Sequence, residues 1–595
     1  MLQAQGIVKR GNCNRLKGSA RMNSRKGSQD AFNTRKASIF CEVGSLDDIE
    51  PLENIVSSDS SPSASSQSSA AKPITTGLNQ QQSSAYVAML HRSQYPSRWR
   101  FLTTTVAVIV SAAVIFTYAA LDVCDIAPGP LTLQTQRAAT ASSPRALLYA
   151  PTLAKGVNYS RPINRAQAQK LINAVMADPS ISSSSSAVIM DAQGRVIASH
   201  EPNALREPAS TLKTLTAAVA SRTLDMGSTL DTQVFLLPET SDVPTHASSA
   251  HARKLVLRGN GDMLLGVGEN DWHHVNGRAG LTTLARRTAA ALKLDNIHKV
   301  SLSVDDSLFG AKRAPALVYD TDVEHRFYAR TSSLAIDDAR QRDLVAQGVD
   351  ADAMTDFPLS DPQPAQSVGN IFARLLEKQG ISVVSSAEYT SVDQQSQKPV
   401  VPVSRTRQLV TSSSRLLAQV SSAPLNEIMA YMLRISDNTL AEEFGRLTAI
   451  AVHKRNSPEG AVQAVEEGLR KLHINTRGLH MSDCSGLSPK SKLRVATLAQ
   501  VQALNVQAHS GGAAAAEGLS LPGLVGTARK RLADESAAGM LRVKTGSLSD
   551  VTSMTGNVSR NNGGVLTFAI VVNQPTDFWG AFVAINKFMA ELPKL

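Results

Sequence analysis

The sequence predicts an α/β (α+β) protein in which an antiparallel sheet is flanked by helices, interrupted by a large inserted region and preceded by a transmembrane helix. Three observations carry that expectation. Met540–Leu548, Val551–Val558 and Val565–Val572 read as successive strands separated by Ser549-Asp550 and by the polar run Arg560 to Gly564, the pattern of an antiparallel meander. Apolar residues recur at helical spacing at Leu212, Leu215 and Val219, and again at Leu425, Ile428, Met429, Met432 and Leu433, which places helices around the sheet. Phe101–Leu121 is a run of 21 residues without a charge, long enough to cross a bilayer as a helix.

From the N-terminus, residues 1–100 carry 13 Lys or Arg against 7 Asp or Glu, and so hold +6 of the formal net charge of +11. Residues 9–36 are basic and 57–69 are Ser-rich; with few apolar groups to bury, this stretch is expected to be a disordered cytoplasmic tail lying near anionic lipid. Neither aromatics nor a motif point to nucleic acid. Arg92, Arg98 and Arg100 precede the uncharged run and Asp122 and Asp125 follow it, so the basic side should stay in the cytoplasm. Residues 101–122 are read as the membrane span of a single-pass protein and 123–157 as a linker, with the remainder on the cell-wall side. A cleaved signal peptide starting at Met89 is the alternative, although Thr117-Tyr-Ala119 makes a poor cleavage site. Cys13, Cys41, Cys124 and Cys484 indicate no disulfide framework. His273-His274 reads as a surface pair, and no metal or other cofactor is expected.

Three short words carry chemistry: Ser210-Thr-Leu-Lys213, Ser436-Asp-Asn438 and Lys544-Thr-Gly546. The first lies at a helix start after Pro208; residues three apart share a helix face, so the Lys213 amine can reach the Ser210 hydroxyl. Burial and the nearby charge of Lys544 would both keep Lys213 neutral enough to take the Ser210 proton. The second word is a tight connection between two helices, where Ser436 can pass a proton to a leaving amine and Asn438 can hydrogen-bond a substrate amide. The third sits in a strand. There Gly546 leaves room for a peptide to approach as an extra strand, and Thr545 offers a hydroxyl to a terminal carboxylate. Read singly, each word has a bland meaning, a cap or an edge-strand lysine; Ser69 and Lys72 also satisfy the first pattern in the tail. Jointly, each occupies the element its chemistry needs.

Ser210 and Ser436 are 226 residues apart, whereas Ser436 and Lys544 are 108 apart. The first gap holds strand patterns at 254–257, 300–304 and 381–384 and helical patterns at 282–292 and 368–379. Residues 236–414 are therefore read as one or two inserted domains, and 158–235 with 415–595 as the catalytic domain.

These words, with Pro208-Ala-Ser-Thr, Leu255 to Asp262, Val304-Asp-Asp-Ser-Leu-Phe309, Ser436 to Glu442, Asp483-Cys-Ser-Gly-Leu-Ser488 and Lys544-Thr-Gly-Ser-Leu548, resemble the class C low-molecular-mass penicillin-binding proteins, D-alanyl-D-alanine carboxypeptidases and endopeptidases. The resemblance implies a penicillin-binding/transpeptidase-like fold with a large insertion between the first two motifs. It implies a Ser210 acyl-enzyme formed on peptidoglycan stem peptides ending in D-Ala-D-Ala, with β-lactams as inhibitors. Lys213, Ser436, Asn438 and Lys544 would complete the catalytic set, Thr545, Gly546 and Ser547 would bind substrate, and the Ser210 and Ser547 N–H groups would hold the oxyanion. Cys484 and Pro489 depart from the family pattern beside the expected site for the stem peptide's third residue. The alternatives are a β-lactamase or esterase of the same fold, and an inactive cell-wall-binding scaffold. No Glu-x-x-Leu-Asn follows Asn438, so a deacylating Glu of the class A β-lactamase kind is missing.

Overall fold

The computed structural model describes residues 98–123, 161–239, 252–342, 350–354, 357–384, 401–532 and 534–595. Residues 1–97 and 124–160, which hold nearly all of the expected tail (1–100) and linker (123–157) together with Cys13, Cys41 and Cys124, lie outside them. The chain divides into two units, residues 50–156 and a second that contains 157–595. In the first, helix α1 runs over Arg98–Val123, and its side chains are described over 105–121, where Val108, Ile109, Ile115 and Phe116 are exposed. Among the described residues no helix is long and apolar enough to cross a membrane.

The second unit begins with helix α2, Arg165–Met176, capped by Asn164, whose Oδ1 accepts the Gln167 N–H at 3.1 Å. Strands β1 (Ser185–Asp191) and β2 (Val196–His200) form a hairpin, and the chain then reaches a tight turn, Ala209–Leu212, that opens helix α3, Lys213–Thr223. The inserted region contributes β3 (Asp231–Leu236), β4 (Arg253–Gly259), helix α4 (Leu281–Leu294), β5 (Lys299–Asp305), helix α5 (Pro364–Lys378), β6 (Ser382–Val384), β7 (Val403–Ser404) and β8 (Arg415–Ser421). Helices α6 (Leu425–Ile435), α7 (Asn438–Ala451), α8 (Pro458–Lys471) and α9 (Val495–Asn505) follow. The chain closes with β9 (Leu541–Leu548), β10 (Val551–Ser559), β11 (Val565–Asn573) and helix α10 (Phe578–Glu591).

The C-terminal meander joins the N-terminal hairpin in one antiparallel sheet, ordered β9-β10-β11-β1-β2. Its middle strands are buried on both faces. On one side α2 and α10 bring Ile172, Ile585 and Phe588 onto Ile189, Met554 and Phe568. On the other, α3, α8 and α9 bring Leu215, Val465 and Leu498 onto Val188, Ala569 and Val571. Two-sided coverage explains why these strands read as continuous apolar runs.

The inserted region has its own mixed sheet, β7-β5-β4-β3-β8 with β6 also on β5, and its own core around Leu257, Leu284, Val304 and Phe372. Its first and last strands, β3 and β8, pair antiparallel through contacts such as Thr232↔Val420. The chain therefore enters and leaves the insertion side by side, which lets it close its own core. That pairing draws residues 231–235 and 415–421 into the second sheet, across the boundaries read from the sequence.

Candidate active site

Ser210 sits in the turn Ala209–Leu212, half-buried, one residue after a left-handed alanine, Ala209 at φ 49°. A non-glycine residue there is strained, and the surroundings must hold it. Ser553 Oγ donates to Pro208 O at 2.7 Å, and Asn573 grips Glu207 through both its N–H (2.9 Å) and its carbonyl (3.0 Å). A Cβ on Gly546 would lie 2.9 Å from Pro208 O and 3.1 Å from Ser210 N, and one on Gly486 would meet Ala209 O at 2.1 Å. Gly546 is therefore required by the close approach of the protein's own nucleophile turn, a different reason from the substrate contact expected from sequence.

Lys213 opens α3 and is fully buried. Its Nζ donates to Ser210 Oγ at 3.0 Å, to Asn438 Oδ1 at 2.7 Å and to the Ser485 carbonyl at 2.9 Å. Burial pulls its pKa down to about 8, while Asp483, Asp437 and Glu442 nearby resist the shift. The expected influence of Lys544 runs the other way: burial, and then the charge of Lys213, push Lys544 well below its ordinary value. A serine hydroxyl in contact with an amine poised near neutrality is an activatable nucleophile.

Ser436 terminates α6 in left-handed backbone, φ 64°, and Asp437, not Ser436, caps α7 by accepting the Leu440 N–H at 2.9 Å. The kink turns Ser436 Oγ toward Lys544 Nζ, which donates to it at 2.9 Å and to Thr545 O at 2.8 Å. Asn438 is fixed through its Nδ2, which donates to Phe327 O at 2.8 Å. Behind the turn, Arg340 Nη2 lies 3.5 Å from Asp437 Oδ2. Arg340 follows three consecutive left-handed residues, Asp337, Asp338 and Ala339. Burial and the adjacent Asp437 raise the Asp338 carboxyl well above its usual range, and the two carboxyls hydrogen-bond.

Lys544, Thr545, Gly546 and Ser547 lie on β9, the edge of the antiparallel sheet. Val543 exchanges backbone bonds with Ser520 on the outer side, so by strand alternation the N–H and C=O groups of Thr545 and Ser547 also face that edge. The Thr545 hydroxyl is engaged with Thr527 Oγ1 at 2.7 Å.

The loop Asp483–Ser488 supplies the Ser485 carbonyl. Asp483, wholly buried, shapes it by accepting from Ser485 N (3.1 Å), Ser485 Oγ (2.9 Å), Gly486 N (2.6 Å) and Ser488 N (2.6 Å). Cys484, a departure from the family pattern, is a buried free thiol at the α7 interface, where a Cβ on Gly445 would lie 2.4 Å from its sulfur. Pro489 is half-buried and Lys490 exposed, with left-handed backbone. His274, away from this cleft, pairs with Asp271 at 2.7 Å.

The geometry thus joins all three words around two buried lysines, and the D-Ala-D-Ala carboxypeptidase 3 (S13) family model matches the chain over residues 168–353 and 341–589. The chain belongs to that family. It is a serine-type D-Ala-D-Ala carboxypeptidase. A carboxypeptidase of Mycobacterium tuberculosis is 30% identical over 378 residues, 62% of this chain and 71% of that protein. Carboxypeptidase DacB of Mycolicibacterium smegmatis is 30% identical over 383 residues, with the same two coverages of 62% and 71%. In fold, this S13 carboxypeptidase is similar to penicillin binding protein 4 of Haemophilus influenzae, with a TM-score of 0.55 at 19% identity over 73% of this chain and 100% of that one.

Proposed function

We propose that Ser210 attacks the carbonyl of the penultimate D-alanine of a peptidoglycan stem peptide and forms an acyl-enzyme that water resolves. The observation that carries this reading is the pair of contacts Lys213 Nζ to Ser210 Oγ, 3.0 Å, and Lys544 Nζ to Ser436 Oγ, 2.9 Å. Neutral Lys213 takes the Ser210 proton as the C–O bond forms. Ser436 passes its proton to the departing D-alanine amine and recovers one from Lys213, which carries the proton taken from Ser210 and so is neutral again when water attacks; Lys544 orients the Ser436 hydroxyl by the hydrogen bond it donates. The N–H groups of Ser210 and Ser547 stabilise the oxyanion, and the open edge of β9 aligns the substrate as an added strand. Asn438 holds both Lys213 and a substrate amide, and Thr545 receives the terminal carboxylate by releasing Thr527. The same chemistry serves a crosslink-cleaving endopeptidase. A β-lactam acylates Ser210 by the same route, and its tethered leaving group makes that adduct long-lived.

The reading extends to placement. Helix α1, about 39 Å long at 1.5 Å per residue, presents exposed Val108, Ile109, Ile115 and Phe116. The described part of this helix does not meet the apolarity of a membrane span, so a single-pass anchor rests on the sequence, the uncharged run 101–121 between Arg100 and Asp122; it would leave the basic side cytoplasmic, the catalytic region facing the wall and the inserted region a domain of its own. Release of D-alanine from a peptide ending in D-Ala-D-Ala, by protein recovered in the membrane fraction, tests both parts. Fast nitrocefin turnover without D-alanine release would instead identify a β-lactamase, and neither activity would leave a scaffold.

A further inference from the structure

Within the inserted region lies a cavity of ≈ 300 Å³ that shares no residue with the catalytic words. Its wall carries four cationic side chains, Lys312, Arg313, Arg330 and Arg405, against a single carboxylate, Asp306. That carboxylate is already occupied: Asp306 Oδ1 accepts from Arg313 Nη1 (2.9 Å), Ser332 Oγ (3.1 Å), Ser333 N (2.7 Å) and Ser333 Oγ (2.8 Å). Arg405 stands 3.9 Å from its other oxygen. Lys312 pairs with Glu459, and Arg330 lies close enough to the Tyr319 hydroxyl to act on it electrostatically. Arg313 is only 9% exposed, yet among the described residues its Nε has no hydrogen-bond partner.

A second element points the same way. Pro364, the first residue of α5, lines the cavity, and α5 has neither a side-chain cap nor an acidic residue in its first turn. Its first turn adds no negative charge to this wall, the nearest carboxylate at the helix entry, Asp361, being taken up by the Gln363 N–H at 2.7 Å. Burial and the nearby Arg405 pull the Arg313 guanidinium below its ordinary pKa, a cost that a bound anion would relieve.

We infer that this cavity binds a phosphate group. Cations converging from several directions suit a dianion whose oxygens also diverge, whereas a planar carboxylate pairs best with one guanidinium fork. The volume, at the low end for small-molecule sites, holds a phosphate with a short polyol attached. Such a group comes either as a phosphate monoester or as a phosphodiester unit of an anionic polymer. The inference stands independently of the peptidase mechanism.

Calorimetric titration of the full chain in detergent, at constant ionic strength, tests it with inorganic phosphate, glycerol 3-phosphate and poly(glycerol phosphate). One saturable site per chain is expected. Tighter binding of the monoester identifies a small phosphorylated ligand, and tighter binding of the polymer a phosphodiester one. The double variant Arg330→Ala/Arg405→Ala removes two exposed side chains and should weaken binding about tenfold or more while leaving penicillin acylation unchanged, which shows that it is folded. Absence of a saturable heat with all three probes, binding by the double variant as tight as by the parent, or equal competition by acetate overturns the inference.

Discussion

The turn that carries Ser210 and the turn that carries Ser436 both present a hydroxyl to a buried lysine from strained, left-handed backbone, Ala209 at φ 49° and Ser436 at φ 64°. They are held differently. Around Ser210 the supports are neutral hydrogen bonds and close backbone contacts from the antiparallel sheet: Ser553 on Pro208, Asn573 on Glu207, and the missing side chain of Gly546. Around Ser436 they come from the inserted region and are largely ionic, with Arg340 and Asp338 against Asp437, helped by the Phe327 carbonyl on Asn438. The nucleophile is thus fixed by packing, and the proton-relay turn by a buried charge cluster on a neighbouring element. Long insertions that abut a cleft can in this way set its geometry without supplying a reacting group.

Several substitutions would break or sharpen that contrast. The largest effect is expected from Lys213→Met, which removes the base and should slow penicillin acylation by roughly 10²–10⁴-fold, measured by stopped-flow with a fluorescent penicillin. Gly546→Ala forces the new methyl against Pro208 O and Ser210 N. It should cost about 1–3 kcal/mol in denaturant melts and acylate poorly even where folded.

Arg340→Met leaves Asp337, Asp338 and Asp437 without their shared cation and should cost about 3–5 kcal/mol. Asn573→Ala, on the other turn, loses two neutral bonds and should cost about 1–3 kcal/mol. If the contrast holds, Asp437→Asn, which removes a negative charge facing Arg340 while keeping a residue that can cap α7, partly rescues Arg340→Met and does nothing for Asn573→Ala. Equal rescue of both would refute it.

Acylation should also rise about tenfold between pH 7 and pH 9, because Lys213, with a pKa near 8, must be neutral to accept the proton. The smallest effect is on stability. Burial raises the Glu443 carboxyl well above its usual range, and Oε1 has no partner among the described residues. The unfolded chain therefore loses this proton first, and the carboxyl makes folding progressively less favourable as pH rises above the unfolded value. Glu443→Gln, with no proton to lose, should gain in Tm relative to the parent as pH increases, a trend that thermal melts at several pH values would read.

Much of this is legible in the sequence. The apolar runs at 540–572 announced the meander, and the spacing of Ser210 and Lys213 on one turn announced their contact, because both are local patterns. What stayed hidden is nonlocal. The Ser485 carbonyl reaches Lys213 across 272 positions, and Asn438 does so across 225; both lie in recognisable stretches, but nothing in the sequence says that a backbone carbonyl of the first faces the lysine. Arg340 and Asp338 read as ordinary charges in a loop, and the left-handed run at Asp337–Ala339 leaves no mark in a sequence of non-glycine residues. The direction of the lysine coupling is nonlocal too. Proximity of two ammonium groups was foreseeable, but which one keeps its proton depends on the carboxylates that face Lys213 from α7 and the Asp483 loop.

The account's central claim is that Ser210 becomes covalently acylated with Lys213 as its base. Intact-mass measurement after incubation with penicillin tests it most directly. One adduct per chain is expected, mapped by peptide digestion to Ser210 and lost in Ser210→Ala, while Arg330→Ala/Arg405→Ala retains it. An adduct that survives Ser210→Ala, or its absence from the folded parent protein, would contradict the account.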